Sequence, residues 1–459
     1  MRKFADISIE KEKSDIFRYN AGKILRNQKF LNLVRFFLLL LTIYAILWGL
    51  FSPKNEFTTG LFWGLFWPFF MVITLPFVGN VFCMICPNGF ISRKIENIGL
   101  KKRIPKFLKN PYIGLGLLIV FYWFILYTFP GTFRNSFNTA LLFLFFTLLA
   151  VFVSFLFRDG VYCRYFCPIV RVAPAFARVG FMWLSSYKRI CGEKCNKPDC
   201  AFSCPYKLNP SKFEEKNSMS TCTLCMECAN SCESIKYSIK DWSYSLKRKI
   251  KQPQSWEIWV YITLLAVITV TMRFHHGLGH SPIKDSLPWV IAGKWLHQIT
   301  GIGKPVDFVG LMALLSGISI TLTLVLGGFY ISSLILKRKF KEIFLNLGYT
   351  LAPLVIIGSL SHVSHFFFTH YFHEIVNGFA QAFFLDIHVQ PLADRKDTWL
   401  RVFYVFPFIA AFWSGYLMWR RISFFEISGF KKFAGYLAAS SIVWFYLLLT
   451  VVQLYLRYF

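Results

Sequence analysis

The chain has 459 residues, 55% of them hydrophobic, with 53 Phe, 14 Trp, a mean hydropathy of +0.48 and a formal net charge of +28. That apolar content exceeds what a soluble core requires and excludes an ordinary globular enzyme. The basic excess falls in short loops beside apolar runs, which excludes nucleic acid as a partner and fits membrane topology and anionic lipid.

A bilayer core about 30 Å thick takes roughly 20 apolar residues to cross as a helix. Nine such runs lie near 30–51, 59–82, 110–130, 138–158, 255–273, 306–336, 346–369, 400–419 and 433–456. Lys and Arg concentrate on the cytoplasmic side of membrane proteins. Here 39 of the 51 fall in segments 1–29, 91–109, 159–253, 337–345 and 420–432, which alternate with poorly charged segments. The expectation is an all-α polytopic protein of the inner (cytoplasmic) membrane with about nine transmembrane helices, amino terminus inside and carboxyl terminus outside. All 12 cysteines precede residue 233 and all 9 histidines follow residue 274, so this topology puts thiols near the inner face and imidazoles near the outer one. Thiols in the reducing compartment point to metal or redox chemistry rather than disulfides.

Residues 1–29 read as a cytoplasmic tail, and 30–187 as a duplicated two-helix membrane unit. Its first hairpin ends in "VFCMICPNGF", with Cys83 and Cys86, and its second in "VYCRYFCPIV", with Cys163 and Cys167. Each pair follows a span and is closed by proline, and both spacings, C-x2-C and C-x3-C, put two thiols on one side of a helical turn. A repeated Cys pair with its proline predicts one four-thiol set, either a third iron–sulfur site or a redox dithiol.

Residues 188–240 carry the strongest signal. In "CTLCMECANSC", Cys222, Cys225, Cys228 and Cys232 form the C-x2-C-x2-C-x3-C run of bacterial ferredoxins, whose fourth cysteine ligates the other cluster of a pair. "CGEKCNKPDCAFSCP" supplies the second motif, stretched, with Cys191, Cys195, Cys200 and Cys204. The crossing rule assigns Cys222, Cys225, Cys228 and Cys204 to one [4Fe-4S] cluster, and Cys191, Cys195, Cys200 and Cys232 to the other. Two zinc sites are the alternative, since four thiolates also suit zinc. So small an inserted ferredoxin-like domain draws much of its folding energy from its metal centres. After it, Lys247, Arg248, Lys249 and Lys251 read as an inner-face anchor.

The five spans of 255–459 hold the histidines. "RFHHGLGH" carries His275, His276 and His280; "SHVSHFFFTHYFHE" carries His362, His365, His370 and His373. Polar side chains at membrane depth are functional candidates. His275, His276, His362 and His365 are candidate ligands of one haem b or of copper, against the alternative of outer-loop hydrogen bonding. No histidine lies near the inner face, so a stacked dihaem cytochrome is not expected. Nucleotide-binding loops are absent and acidic residues inside spans are scarce, which disfavours a primary pump and carboxylate-relay transport.

Paired spans, each followed by a Cys-Pro motif, and then a two-cluster module resemble the membrane polyferredoxins of the NapH, NosR and CcoG type. The resemblance covers about residues 30–240. It implies an electron-transfer protein of a respiratory or redox-maturation pathway, with an unidentified redox partner protein or a quinone, and it makes Cys83, Cys86, Cys163 and Cys167 the family's membrane-interface cysteines. Whether the chain is an electron carrier or an oxidoreductase component stays open. A copper-reducing accessory factor for cytochrome oxidase assembly is the alternative, and a redox sensor the third reading.

Overall fold

The computed structural model describes residues 12–169, 172, 181–187, 191, 199–213, 222–240, 243, 246–247, 254–303, 305–427 and 429–458. The chain is mostly helical and forms two compact units. One comprises 1–117, 139–245 and 250–252; the other comprises 118–138, 246–249 and 253–459.

In the first unit, the Asn27 side chain accepts from the Lys29 and Phe30 amides and starts the helix Gln28–Phe51. This satisfies two of the orphan donors that every helix start presents. The run expected at 59–82 is helical from Phe57 to Val78 but broken in register, with Gly60–Ile73 wound as a π-helix around Pro68. Proline has no N–H to donate and its ring clashes with the preceding turn, so regular α winding fails there. Gly79, at φ 76°, turns the chain into the short helix Val81–Ile85, and Pro87 opens Pro87–Ile98. The second hairpin returns through Ser136–Leu156. Both oxygens of Glu96 accept from the Asp159 and Gly160 amides at 2.8 and 3.1 Å, which ties the first Cys-Pro helix to the turn before the second.

The 182–239 region contributes a two-stranded antiparallel sheet, β1 Met182–Ser186 and β2 Ile235–Ile239, with Leu184 opposite Tyr237. Residues 12–27, which the sequence places in the tail, pack on this sheet. Asp15, fully buried, accepts from the Tyr237 amide and the Tyr187 hydroxyl, and Phe17 is buried against Tyr237.

The second unit is a helical bundle built from Ser255–His280, Phe308–Ile335, Phe340–Ala382, Thr398–Phe425 and the pair Gly429–Ala439 and Ser441–Leu456, bent by 54°. Across the described residues, six helices are long and apolar enough to cross a membrane, or seven if the bent pair counts as one. Tyr112–Thr128 is a shorter apolar helix. Histidine-bearing Arg273–Gly277 and Phe367–Tyr371 are both π-wound. Buried polar groups of this bundle pair with one another: Glu257 accepts from the Tyr349 hydroxyl at 2.6 Å, and Arg421 donates to Asn346 and to the Leu246 carbonyl.

Candidate iron–sulfur sites

The two Cys-Pro motifs fold alike although one is a residue longer. In the first, Cys86 ends a helix at φ −58°, ψ 125° and Pro87 begins the next; in the second, Cys167 ends a helix at φ −66°, ψ 122°, followed by Pro168. Proline bars the α region to the residue before it, which sets both cysteines extended. The additional residue of the second motif is absorbed by π winding over Tyr162–Phe166, closed by the Cys167 amide donating to the Tyr162 carbonyl at 2.9 Å. The pair thus keeps its cysteine at the Cys-Pro step. A left-handed glycine, Gly79 or Gly160, precedes each pair.

These motifs meet. A Cβ on Gly89 would lie 3.7 Å from the Cys86 Cβ and 4.0 Å from the Cys163 Sγ, so a bare glycine lets the two pairs approach. Cys83, Cys86, Cys163 and Cys167 lie within one another's electrostatic reach. Burial and then repulsion from Cys167 push the Cys86 thiol up to about 12, against the Gly89 and Asn88 amides and Arg93, which pull it down. Cys163 is pushed up by burial, then by Cys167 and Cys86. Four crowded thiols, Cys163 buried and the other three half-buried, give up their protons when a cationic metal centre takes their charge.

Nearby, a small cavity is walled by Cys204, Cys222, Cys225 and Cys228, together with Tyr206 and Leu184. This is the ligand set that the ferredoxin crossing rule assigns to one cluster. Leu224 and Met226, at φ 49° and 63°, take the left-handed conformation, and the Leu224 amide donates to the Cys222 sulfur at 3.4 Å. The backbone between the thiols therefore curls around the cavity with its N–H groups turned toward sulfur, an arrangement that stabilises negative charge.

Of the other predicted set, Cys191 and Cys232 both contact the Ser234 hydroxyl, at 3.2 and 3.0 Å, and Cys200 is buried on Asp199–Phe202 in the same core as Cys232. Cys195 lies outside the described residues. Each of the eleven described cysteines is free of disulfide bonding. Among the described residues, no three His, Cys, Asp or Glu side chains converge closely enough to hold a single metal ion.

Several functional side chains escaped the motif reading. Arg35, inside the first apolar helix, is fully buried; its Nε donates to the Met84 carbonyl at 2.7 Å and its Nη2 to the Cys225 carbonyl at 3.0 Å. Arg26 donates to the Ala229 and Cys232 carbonyls, and the Asn80 amide to the Cys222 carbonyl at 2.7 Å. Tyr206 walls the cavity and lies in one buried core with Cys163, Cys204 and Cys225, so it adjoins both thiol sets. The available signal was an arginine within an apolar run, which is a functional candidate by default; nothing in the sequence marks Tyr206.

The histidines are differently employed. His275 Nε2 lies 3.3 Å from an Asp307 oxygen and packs edge-on against Tyr127. The Gly310 amide donates to the other Asp307 oxygen at 2.9 Å, and a Cβ on Gly310 would come within 2.1 Å of the Tyr127 carbonyl. Burial alone would raise the Asp307 carboxyl, but the bonds from His275, Gly310 and Val309 hold it below its ordinary value. His276 lies within the electrostatic reach of His280 and His362. His362 packs on Phe366, and His370 bonds Arg395.

Thiols brought together from separate motifs, in a chain rich in membrane-length apolar helices, point to an iron–sulfur membrane protein. Residues 59–105 and 139–178 match the family described as a 4Fe-4S binding domain, and that match contains Cys83, Cys86, Cys163 and Cys167. The chain is similar to an uncharacterized protein of Methanocaldococcus jannaschii, 29% identical over 201 residues that cover 39% of this chain and 78% of that relative. A second uncharacterized protein of the same organism is 26% identical over 193 residues, 39% of this chain and 72% of the relative. No solved structure matches.

Proposed function

We propose that this protein carries electrons at the cytoplasmic face of a membrane through three [4Fe-4S] sites: Cys83, Cys86, Cys163 and Cys167 at the Cys-Pro ends; Cys204, Cys222, Cys225 and Cys228 around the cavity; and Cys191, Cys195, Cys200 and Cys232. The observation that carries this reading is the 4Fe-4S family match falling on the two Cys-Pro pairs, which favours a cluster there over a dithiol. The C-x2-C-x2-C spacing of Cys222, Cys225 and Cys228 around one cavity favours a polynuclear cluster over a single zinc ion.

When bound, such clusters supply one-electron transfer. The chain's own residues bury the thiols from water, set amides and Arg93 against their negative charge, and hold neighbouring sites at fixed separation through Glu96, Tyr206 and Asn80. The likeness to NapH, NosR and CcoG proteins supports a respiratory or redox-maturation role, with a partner protein or quinone completing the route. The basic segments support an inside amino terminus.

One observation favours a second centre. With His275 engaged by Asp307, His276 and His362 are the imidazoles left in electrostatic reach of each other from two different helices, a pairing that suits haem b better than copper.

The deciding experiment quantifies iron, sulfide, haem and copper on one anaerobic preparation and records EPR after dithionite. About twelve iron atoms per chain, four per cubane, are expected. Stoichiometric zinc with a silent spectrum would end the cluster reading.

A further inference from the structure

Among the described residues Arg35 is the most deeply buried cation of the first unit, and the groups it hydrogen-bonds are neutral. Besides the Met84 and Cys225 carbonyls, its Nη1 donates to Asn32 Oδ1 at 2.8 Å and Gln28 Oε1 at 3.1 Å. Gln28 in turn donates to the same Cys225 carbonyl at 3.0 Å. Among the described residues no carboxylate forms an ion pair with Arg35. Arg93, the other arginine near the thiols, differs: it sits 3.5 Å from Glu227.

A guanidinium cannot shed its charge, and Glu227, a carboxylate in its electrostatic reach, is already paired with Arg93, so burial of Arg35 is costly unless a further anion stands close by. The two carbonyls that it grips identify that anion. Met84 lies between Cys83 and Cys86, and Cys225 is in the cavity wall. One planar fork therefore reaches the backbone of both thiol sets, at Met84 in one and at Cys225 in the other. A lysine offers a single point charge and cannot span both carbonyls in that geometry.

We propose that Arg35 is a positioning residue shared by the Cys-Pro site and the cavity site, and that its buried charge raises the reduction potentials of both together. Each site is a thiolate-ligated anion that becomes more negative on reduction, so one cation between them favours the reduced form at each. The fork fixes the separation of the two sites, making them direct electron-exchange neighbours. The site containing Cys191 and Cys232 is served instead by Arg26, whose Nη2 donates to the Cys232 carbonyl at 3.2 Å. This inference rests on the reading that both thiol sets hold clusters.

The test is an EPR-monitored redox titration of the full chain, with iron counted on the same samples. In Arg35→Met, the midpoints of the Cys-Pro and cavity sites are expected to fall by at least tenfold in the reduced-to-oxidised ratio, about 59 mV for one electron, while the Cys191 and Cys232 site holds its value. Arg35→Lys should keep both potentials near wild type but alter the spin–spin splitting between the two neighbouring signals. Unmoved midpoints in Arg35→Met at full iron content, or a shift at one site alone, overturn the proposal. Should Arg35→Met fail to assemble, Arg35→Lys decides: altered splitting supports the fork, and wild-type splitting or loss of all iron overturns it. Wild-type protein with about eight iron atoms, unchanged by Cys83→Ser, would instead remove the three-cluster reading and the inference with it.

Discussion

The cysteine unit and the histidine unit handle their chemically active side chains in opposite ways. In the first, thiols from motifs far apart in sequence face one another, and the charged and polar groups around them, Arg35, Arg26 and Asn80, bond backbone rather than sulfur. Their bonds fix the backbone that carries the thiols. In the second, His275 is held by Asp307 and His370 by Arg395. An imidazole already bonded to a carboxylate or guanidinium is a structural group first. A ligand site is thus recognised by what its supporting residues leave unengaged, as much as by the ligands themselves.

That contrast is broken most severely at a thiol. Cys83→Ser or Cys163→Ser should remove about four iron atoms per chain and one EPR signal, and Cys222→Ser the same number from the cavity site. A loss confined to one site in each variant would show three separate centres, whereas unchanged iron in Cys83→Ser and Cys163→Ser would mark that pair as a dithiol.

Next in size is Gly160. Its φ of +63° disfavours any Cβ, and a Cβ there would sit 2.6 Å from the Tyr206 ring. Gly160→Ala should cost about 1–3 kcal/mol in stability and lower iron retention on warming, as thermal melts in detergent with parallel iron release would record. An unchanged melt would mean that Tyr206 can move away freely.

Shortening the second motif sharpens the comparison of the two Cys pairs. Deleting Arg164 converts C-x3-C to C-x2-C and should replace the π turn by an α turn while iron content stays at the wild-type level. Lost iron would show that π winding itself, rather than the Cys-Pro step, places Cys163.

The smallest effect belongs to the histidine unit. Asp307→Asn should cost about 1 kcal/mol and leave iron content unchanged. Because the Asp307 carboxyl is held below its ordinary value, its contribution to stability is present above the usual carboxylate range and is lost as the pH falls through its lowered folded value. The wild-type minus Asp307→Asn stability difference should therefore shrink on acidification, and a difference that stays flat with pH would contradict this.

Much was legible along the chain because it depends on local spacing. Apolar runs long enough to cross a bilayer, the C-x2-C-x2-C-x3-C run and the recurrence of Cys-Pro after two hairpins are statements about neighbours in sequence. The structure places Cys204, Cys222, Cys225 and Cys228 along the wall of one cavity. The count of nine spans was harder to read: proline and π winding break the 57–78 segment, and Tyr112–Thr128 is short for a crossing. Residues 12–27 read as a charged tail because no pattern of 3.6 or 2 shows that Asp15 and Phe17 will be buried on a distant sheet.

By itself, then, the sequence determined the class of this protein, since thiol spacing and apolar length carry their own chemistry: a cubane needs closely spaced cysteines, and a bilayer needs long apolar helices. Only the tertiary structure decided that two unequal Cys-Pro motifs meet, that a π turn reconciles their lengths, and that Arg35 reaches a carbonyl 190 residues away. The physical reason is that a buried charge or a bare glycine acquires meaning from the atoms folded against it, and those atoms are set by packing of distant segments rather than by any local pattern.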